Sequence, residues 1–81
     1  MTYSEIEQKV KEILADKLNL GVDKITSGSR LIDDLGVDSF ASVEIMFELE
    51  EKFGLKIPDE DIVNAKTVKD ITDYLNSKLA N

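Results

Sequence analysis

Histidine and cysteine are absent from this 81-residue sequence. Without histidine there is no ordinary base to activate a serine nucleophile, and without either residue a metal site is hard to build. The absence of cysteine also excludes a disulfide framework, so nothing favours an oxidising compartment. We therefore expect neither catalytic residues nor metal ligands.

Long apolar runs are also missing. None approaches the roughly 20 residues that a membrane-spanning helix needs, and the first five residues lack the basic and apolar blocks of a signal peptide. Hydrophobic residues still make up 42% of the chain, enough for a small core. A chain this short forms one domain at most. We expect a single domain over residues 1–81, a monomer in the cytoplasm with no membrane span.

Positive charge is scarce: ten basic residues face 17 acidic ones, a net charge of −7. This balance argues against a nucleic acid partner, whose phosphates must be met by lysine and arginine. Residues 31–63 contain ten acidic residues and two lysines, a net of −8, so the rest of the chain carries +1. A solvated surface that aids solubility is one explanation, and an electrostatic footprint for basic partners is the other.

The spacing of apolar residues predicts a first helix from about Ser4 to Leu18, opened by a capping box of Ser4 and Glu7. Its predicted core face consists of Ile6, Val10, Ile13, Leu14 and Leu18. A connection of roughly 20 residues follows, and loops of this length are uncommon unless they serve a function or pack on the core. Four of its residues are candidates for such packing: Ile25, Leu31, Ile32 and Leu35.

A second helix is predicted from Ser39 to about Phe53, with Gly54 as its left-handed terminator. Asp59 is then a plausible N-cap for a short third helix that continues to about Val63.

A capping box of Thr67 and Asp70 predicts the start of a fourth helix. Its apolar stripe consists of Val68, Ile71, Tyr74, Leu75 and Leu79. No alternating strand pattern occurs. The whole pattern predicts an all-α four-helix bundle, with three longer helices, one short third helix and a long loop between helices one and two.

The predicted second helix is apolar on two faces. An advance of roughly 100° per residue places Ser42, Ile45, Met46, Leu49 and Phe53 on one side, as a core stripe. A second stripe points roughly 140° away and consists of Phe40, Val43 and Phe47. Glu44 and Glu51 lie beside it, with Glu48 farther round. The loop or the third helix is one possible cover for this stripe, but an exposed apolar strip edged by carboxylates is typical of a docking surface, which we favour.

Ser39 lies after Asp38 at the start of this helix. Alone, a serine in this place is most often an N-cap. A calcium loop from Asp33 to Glu44 has a suitable length and final glutamate, but Leu35 and Val37 occupy ligand positions and Asp38 the glycine position. A helix start with free N–H groups suits an attached phosphate, which makes Ser39 a candidate for modification.

The run DDLGVDSFASVEIMFELEEKFGLKIPDED, residues 33–61, resembles the signature of the acyl carrier protein family. The shared features are an Asp-Leu-Gly run, an Asp-Ser pair followed by an apolar residue, a glutamate-rich helix, and an Ile-Pro-Asp-Glu entry to a short helix. The resemblance covers about residues 4–79. It implies a carrier without catalytic residues of its own.

This resemblance further implies that Ser39 carries 4′-phosphopantetheine, transferred from coenzyme A by a phosphopantetheinyl transferase. The thiol of that arm would hold acyl groups as thioesters and deliver them to fatty acid or polyketide-type biosynthetic enzymes with basic docking surfaces. The residues that match the family's recognition surface are Asp38, Phe40, Val43, Glu44, Phe47, Glu48 and Glu51.

The sequence departs from the family at Phe40, where leucine is usual, so the choice of docking partners stays open. Two alternatives also stay open: an aminoacyl or peptidyl carrier, such as one for D-alanyl transfer, and a helical interaction module in which Ser39 is only a cap. Carriers of this family can shelter an acyl chain between helices, and Ser42, Met46 and Ala65 are candidates to line that space.

Overall fold

The computed structural model describes residues 1–79, so Ala80 and Asn81 of the predicted domain lie outside the described residues. Its α-helices are α1 (Tyr3–Leu18), α2 (Ser39–Phe53), α3 (Asp59–Ile62) and α4 (Val68–Leu79), and a 3-10 turn at Val22–Lys24 interrupts the connection between α1 and α2. The predicted four-helix bundle with a short third helix is confirmed. Within residues 1–79, no helix is both long enough and apolar enough to cross a membrane.

The core lies where α1 packs against α2 and α4. Each long helix contributes the stripe expected from its spacing, since residues three and four apart share one side of a helix. The fully buried apolar side chains of these helices are Ile6, Val10, Leu14, Leu49, Val68 and Leu75. Leu18 and Leu79, at two helix ends, are only partly buried.

The start of α1 differs from the prediction. Thr2, not Ser4, is the N-cap: its hydroxyl accepts the Glu5 N–H at 3.2 Å, and the Glu5 carboxylate accepts the Thr2 N–H at 2.8 Å. Two capping boxes fit the sequence here, Thr2 with Glu5 and Ser4 with Glu7, because each pairs a hydroxyl residue with a glutamate three positions later. The Tyr3 hydroxyl donates to Asp73 Oδ1 on α4 at 2.6 Å, which anchors the added residue of the helix.

The connection between α1 and α2 packs on the core through Ile25, Leu31 and Val37. The prediction that Ile32 is buried is wrong, since 69% of this residue is exposed. The backbone turns here, with the N–H groups of Asp34 and Leu35 both donating to the Arg30 carbonyl. Successive residues of such a turn face different directions, so burial of Leu31 directs Ile32 outward.

Backbone hydrogen bonds tie this connection to the segment before α4. The Leu31 N–H donates to the Lys66 carbonyl at 2.9 Å, and the Val68 N–H donates to the Ser29 carbonyl at 3.1 Å. Because both partners of each bond are backbone groups, the pairing depends little on side-chain identity. This pairing fixes the chain eight to ten residues before Ser39.

The end of α2 agrees with the sequence, since Gly54 terminates the helix at a φ of 65°. The connector that follows is held by Glu50, whose Oε2 accepts the Ile57 N–H at 2.7 Å. The prediction of Asp59 as the N-cap of α3 is wrong: Pro58 occupies the cap without a side-chain hydrogen bond, and Asp59 is the first helical residue. The ring of Pro58 fixes its φ near −61°, and with a ψ of 143° the residue has the extended backbone of a cap.

The capping box at the start of α4 is confirmed. The Asp70 N–H donates to the Thr67 hydroxyl at 3.2 Å, and Asp70 Oδ2 accepts the Thr67 N–H at 3.1 Å. The same oxygen also accepts the Lys66 N–H at 2.9 Å. This carboxylate therefore organises both the helix start and the turn that leads from α3.

Candidate functional site

Ser39 is the first residue of α2, and its side chain does not cap the helix. Asp38 is the N-cap, with its Oδ1 accepting the Ala41 N–H at 2.8 Å. The N–H groups of the first helical residues have no partner within the helix, so those of Ser39 and Phe40 remain available to an anion. Ser39 is exposed. Its hydroxyl is therefore outside the capping interaction, on a residue exposed to solvent.

The second apolar stripe of α2 faces solvent. Phe40 is 73% exposed, Phe47 60% and Val43 46%, whereas Ile45, Met46, Leu49 and Phe53 on the other side are buried. Burial of the stripe by the loop or by α3, the alternative to exposure, does not occur. The result is an apolar ridge that begins at the residue after Ser39.

The carboxylates around this ridge differ in their surroundings. Glu44 and Glu51 are exposed. Glu48 is half-buried and pairs across the helices with Lys17 of α1, with 3.5 Å between Lys17 Nζ and Glu48 Oε1. Glu48 thus contributes to packing between α1 and α2, and much of its charge is compensated on the protein itself.

A cleft of about 550 Å³ opens beside Ser39. Ser39 and Ser42 lie along one side of it, and its floor is apolar, formed by residues that include Leu14, Ile45 and Ile71. Of the residues proposed from the sequence to line an acyl space, Ser42 and Ala65 do line this cleft. Met46 is buried in the core and does not, so that part of the prediction is wrong.

Arg30 lies on the rim of the cleft and is held by two acidic neighbours. Its guanidinium donates to Asp34 through Nε at 3.2 Å and through a terminal nitrogen at 3.1 Å, and another terminal nitrogen lies 3.6 Å from Asp33. The hydrogen bonds from Arg30 hold the pKa of the Asp34 carboxyl below its usual value. The turn before Ser39 is therefore braced by an exposed ion-pair cluster.

Several residues of the cleft were not indicated by the sequence as site residues, among them Arg30, Ile32, Ile62 and Val63. Arg30 stands in a loop whose course depends on long-range backbone pairing. Val63 lies just after α3 and is 65% exposed. No local spacing pattern links these positions to Ser39.

Comparisons with known proteins agree with the geometry. A family model described as "Phosphopantetheine attachment site" matches residues 8–75. The curated acyl carrier protein of Thermosynechococcus vestitus is 45% identical over 80 residues, covering 99% of both chains. That of Clostridium perfringens is 51% identical over 67 residues, covering 83% of this chain and 88% of the relative.

A similar solved structure, of the acyl carrier protein from Enterococcus faecalis, superposes with a TM-score of 0.78 at 38% identity. The match covers 95% of this chain and 98% of that one. The likeness therefore extends from the sequence to the fold.

Proposed function

The chain belongs to the acyl carrier protein family, and we propose that Ser39 is the residue to which its 4′-phosphopantetheine is attached. The protein carries acyl groups on this prosthetic group, in the manner of its family. When bound, the arm supplies the terminal thiol that holds the acyl group as a thioester. A reactive sulfur on the prosthetic group accounts for a carrier that has neither cysteine nor histidine.

The observation that carries the assignment to Ser39 is its place at the start of α2. Asp38 satisfies the capping requirement of the helix, which leaves the Ser39 hydroxyl for another use. The N–H groups of the first turn and the partial positive charge at a helix N-terminus suit the phosphate of the arm. An arm attached here has the apolar ridge on one side and the cleft on the other. These residues fit the group.

We propose that partner enzymes dock on the ridge of Phe40, Val43 and Phe47, with Asp38, Glu44 and Glu51 supplying the negative fringe. Apolar area of this kind supports affinity, and the carboxylates steer a basic partner into register. The partners are the phosphopantetheinyl transferase and acyl-transferring or acyl-modifying enzymes. Glu48 belongs to the same proposal, although its ion pair with Lys17 makes its contribution the smallest.

The proposed attachment is tested by intact-mass spectrometry. The apo-protein is incubated with coenzyme A and a promiscuous phosphopantetheinyl transferase, and we expect one phosphopantetheine adduct. Ser39→Ala should remove it, whereas Ser42→Ala, the next serine along the same cleft, should keep it. An adduct that persists in Ser39→Ala, or none on the wild-type chain, would contradict the proposal.

The curated relatives are acyl carrier proteins, so two alternatives are not favoured: an aminoacyl or peptidyl carrier, and a helical interaction module in which Ser39 is only a cap. Loading assays with acyl-activating and aminoacyl-activating enzymes distinguish an acyl carrier from an aminoacyl carrier, and we expect preferential loading of acyl groups. We propose further that residues 1–81 form one carrier domain that catalyses nothing by itself. A cytoplasmic monomer remains the prediction made from the sequence.

A further inference from the structure

A second cavity lies directly behind the cleft at Ser39. It measures about 280 Å³ and lies between α3, its flanking segments and α4. Three apolar side chains line both spaces: Ile62, Ala65 and Ile71. They form the wall between the Ser39 cleft and this rear cavity. Two of the three come from α3 and the turn after it, and Ile71 comes from α4.

The part of the wall that α3 provides has few restraints. The helix has four residues and no side-chain cap at its start. Its internal bonds are long in places, with 3.4 Å between the Ile62 nitrogen and the Pro58 carbonyl oxygen. Among residues 1–79, one side-chain hydrogen bond ties α3 to another helix: the Tyr74 hydroxyl donates to Asp61 Oδ2 at 2.6 Å.

We propose that Ile62 is the residue that limits how long an acyl chain this carrier can shelter, and that the Asp61–Tyr74 hydrogen bond keeps it in place. This inference rests on the proposed attachment at Ser39. A chain entering from Ser39 meets an apolar floor and then the side chain of Ile62. Beyond it lies the rear cavity, which is also mainly apolar and has Leu49 and Leu75 in its walls.

Ile62 is the wall residue with the greatest effect for two reasons. Ile71 is part of the buried core, so its position is fixed by packing on several sides. Ala65 has only a methyl group to remove. Ile62 is partly buried and lies at the last position of the short helix, where truncation to alanine removes three carbons from the wall at little cost to the core.

The expected signature is a limit in chain length. Each methylene that enters an apolar space favours the sheltered form by about fourfold. Protection of the thioester from attack by reagents in solution should therefore rise with each carbon added to the acyl chain. It should stop rising once the chain reaches Ile62. With the wall opened, the rise should continue into the rear cavity, for about three further carbons or more.

The test loads Ser39 with acyl-phosphopantetheine of even chain lengths, from four to sixteen carbons as a rough working range, and measures cleavage of the thioester by hydroxylamine. Ile62→Ala should move the length at which protection stops rising to longer chains. Tyr74→Phe, which removes the tether alone, should move it in the same direction by a smaller amount. Ile62→Met, which nearly conserves volume, should keep the wild-type limit.

Leu55→Ala is the matched control, because Leu55 is a partly buried apolar residue that lines neither space. It should lower stability without moving the limit. An Ile62→Ala protein that retains helical circular dichroism and the wild-type limit would overturn the inference. A wild-type protein that gains no acyl-phosphopantetheine mass would instead overturn the assignment of Ser39, and this inference with it.

Discussion

The hydrogen bond between Tyr74 and Asp61 makes the stability of this protein depend on pH in the alkaline range. Its oxygens lie 2.6 Å apart and are partly buried. The hydrogen bond to Asp61, together with burial and the charge of that carboxylate, raises the pKa of Tyr74 from 10.0 to about 12. Tyr74→Phe removes the hydroxyl while retaining the ring, so it isolates this one interaction.

The sign of the effect follows from proton linkage. The folded protein holds the phenolic proton more tightly than the unfolded chain, so the stabilisation is complete below pH 10 and is lost as the pH rises to about 12. A shift of two units would correspond to about 2.7 kcal/mol, and solvent screening of a partly exposed pair lowers the expected effect to about 1–2 kcal/mol. In a domain of this size, 1 kcal/mol moves the melting temperature by about 4–8 °C.

Urea unfolding followed by circular dichroism measures this effect. At neutral pH, we expect Tyr74→Phe to lower the free energy of unfolding by about 1–2 kcal/mol. Above pH 10, the difference from wild type should shrink towards zero. Asp61→Asn should remove most of the same alkaline dependence, because the hydrogen bond to a carboxylate, which raises the pKa of Tyr74 most, and the charge of that carboxylate are both lost.

Tyr3→Phe is the comparison variant. In the wild-type protein the Tyr3 hydroxyl donates to Asp73, and that hydrogen bond also raises the pKa of Tyr3, but at an exposed position. Lysine titration contributes to every curve and cancels in the difference between variants. Parallel curves for wild type and Tyr74→Phe from neutral pH to pH 11 would refute the reasoning.

Three further predictions concern α2. Phe47→Ala should weaken docking of the transferase by about tenfold or more, measured by surface plasmon resonance. The urea midpoint should stay unchanged because the ring is exposed. A large loss of stability would mean that the ring packs against the protein in solution. Glu44→Lys with Glu51→Lys should slow association by about tenfold at low salt and little at high salt, so wild-type on-rates in stopped flow would count against steering. Glu50→Gln should lower the free energy of unfolding by about 1 kcal/mol, measured in urea, because it weakens the hydrogen bond from the Ile57 N–H. Glu51→Gln should leave the free energy of unfolding almost unchanged. Equal losses in the two variants would contradict a stabilising role for Glu50.

Most of the fold could be predicted because its signals are local. The bounds of α2 follow from a polar start, an apolar stripe and Gly54, all within one helix. The start of α4 follows from two residues three apart, Thr67 and Asp70, which bond reciprocally as expected. The second stripe of α2 was visible for the same reason, since a periodic pattern places residues on a face without knowledge of the neighbours.

The errors arise where several local solutions compete or where distant segments meet. Thr2 and Ser4 both satisfy the capping pattern, and the contact of Tyr3 with Asp73 on α4, 70 positions later, favours the earlier one. Ile32 and Leu31 are equally apolar neighbours, and only the packed turn distinguishes them. The wall at Ile62 depends on how α3 lies against α4, which no spacing within α3 encodes.

The acidic residues of segment 31–63 show what the structure adds to a count of charges in the sequence. Counted from the sequence, all ten carboxylates are equivalent. In the structure, six of them bind a partner through the side chain: Asp33, Asp34, Asp38, Glu48, Glu50 and Asp61. These brace the loop, cap α2, hold the connector and tether α3.

The other four, Glu44, Glu51, Asp59 and Glu60, have no side-chain partner within residues 1–79. Within the described residues none of the four pairs with a cation, so they add to the negative field that would steer a basic partner in the proposed docking. Two lie beside the ridge of Phe40, Val43 and Phe47, and two lie at the start of α3. The acidic excess therefore has two parts: six carboxylates make side-chain contacts that stabilise the loop, the helix starts and the connector, and four add charge alone to the docking surface proposed for Asp38, Glu44 and Glu51.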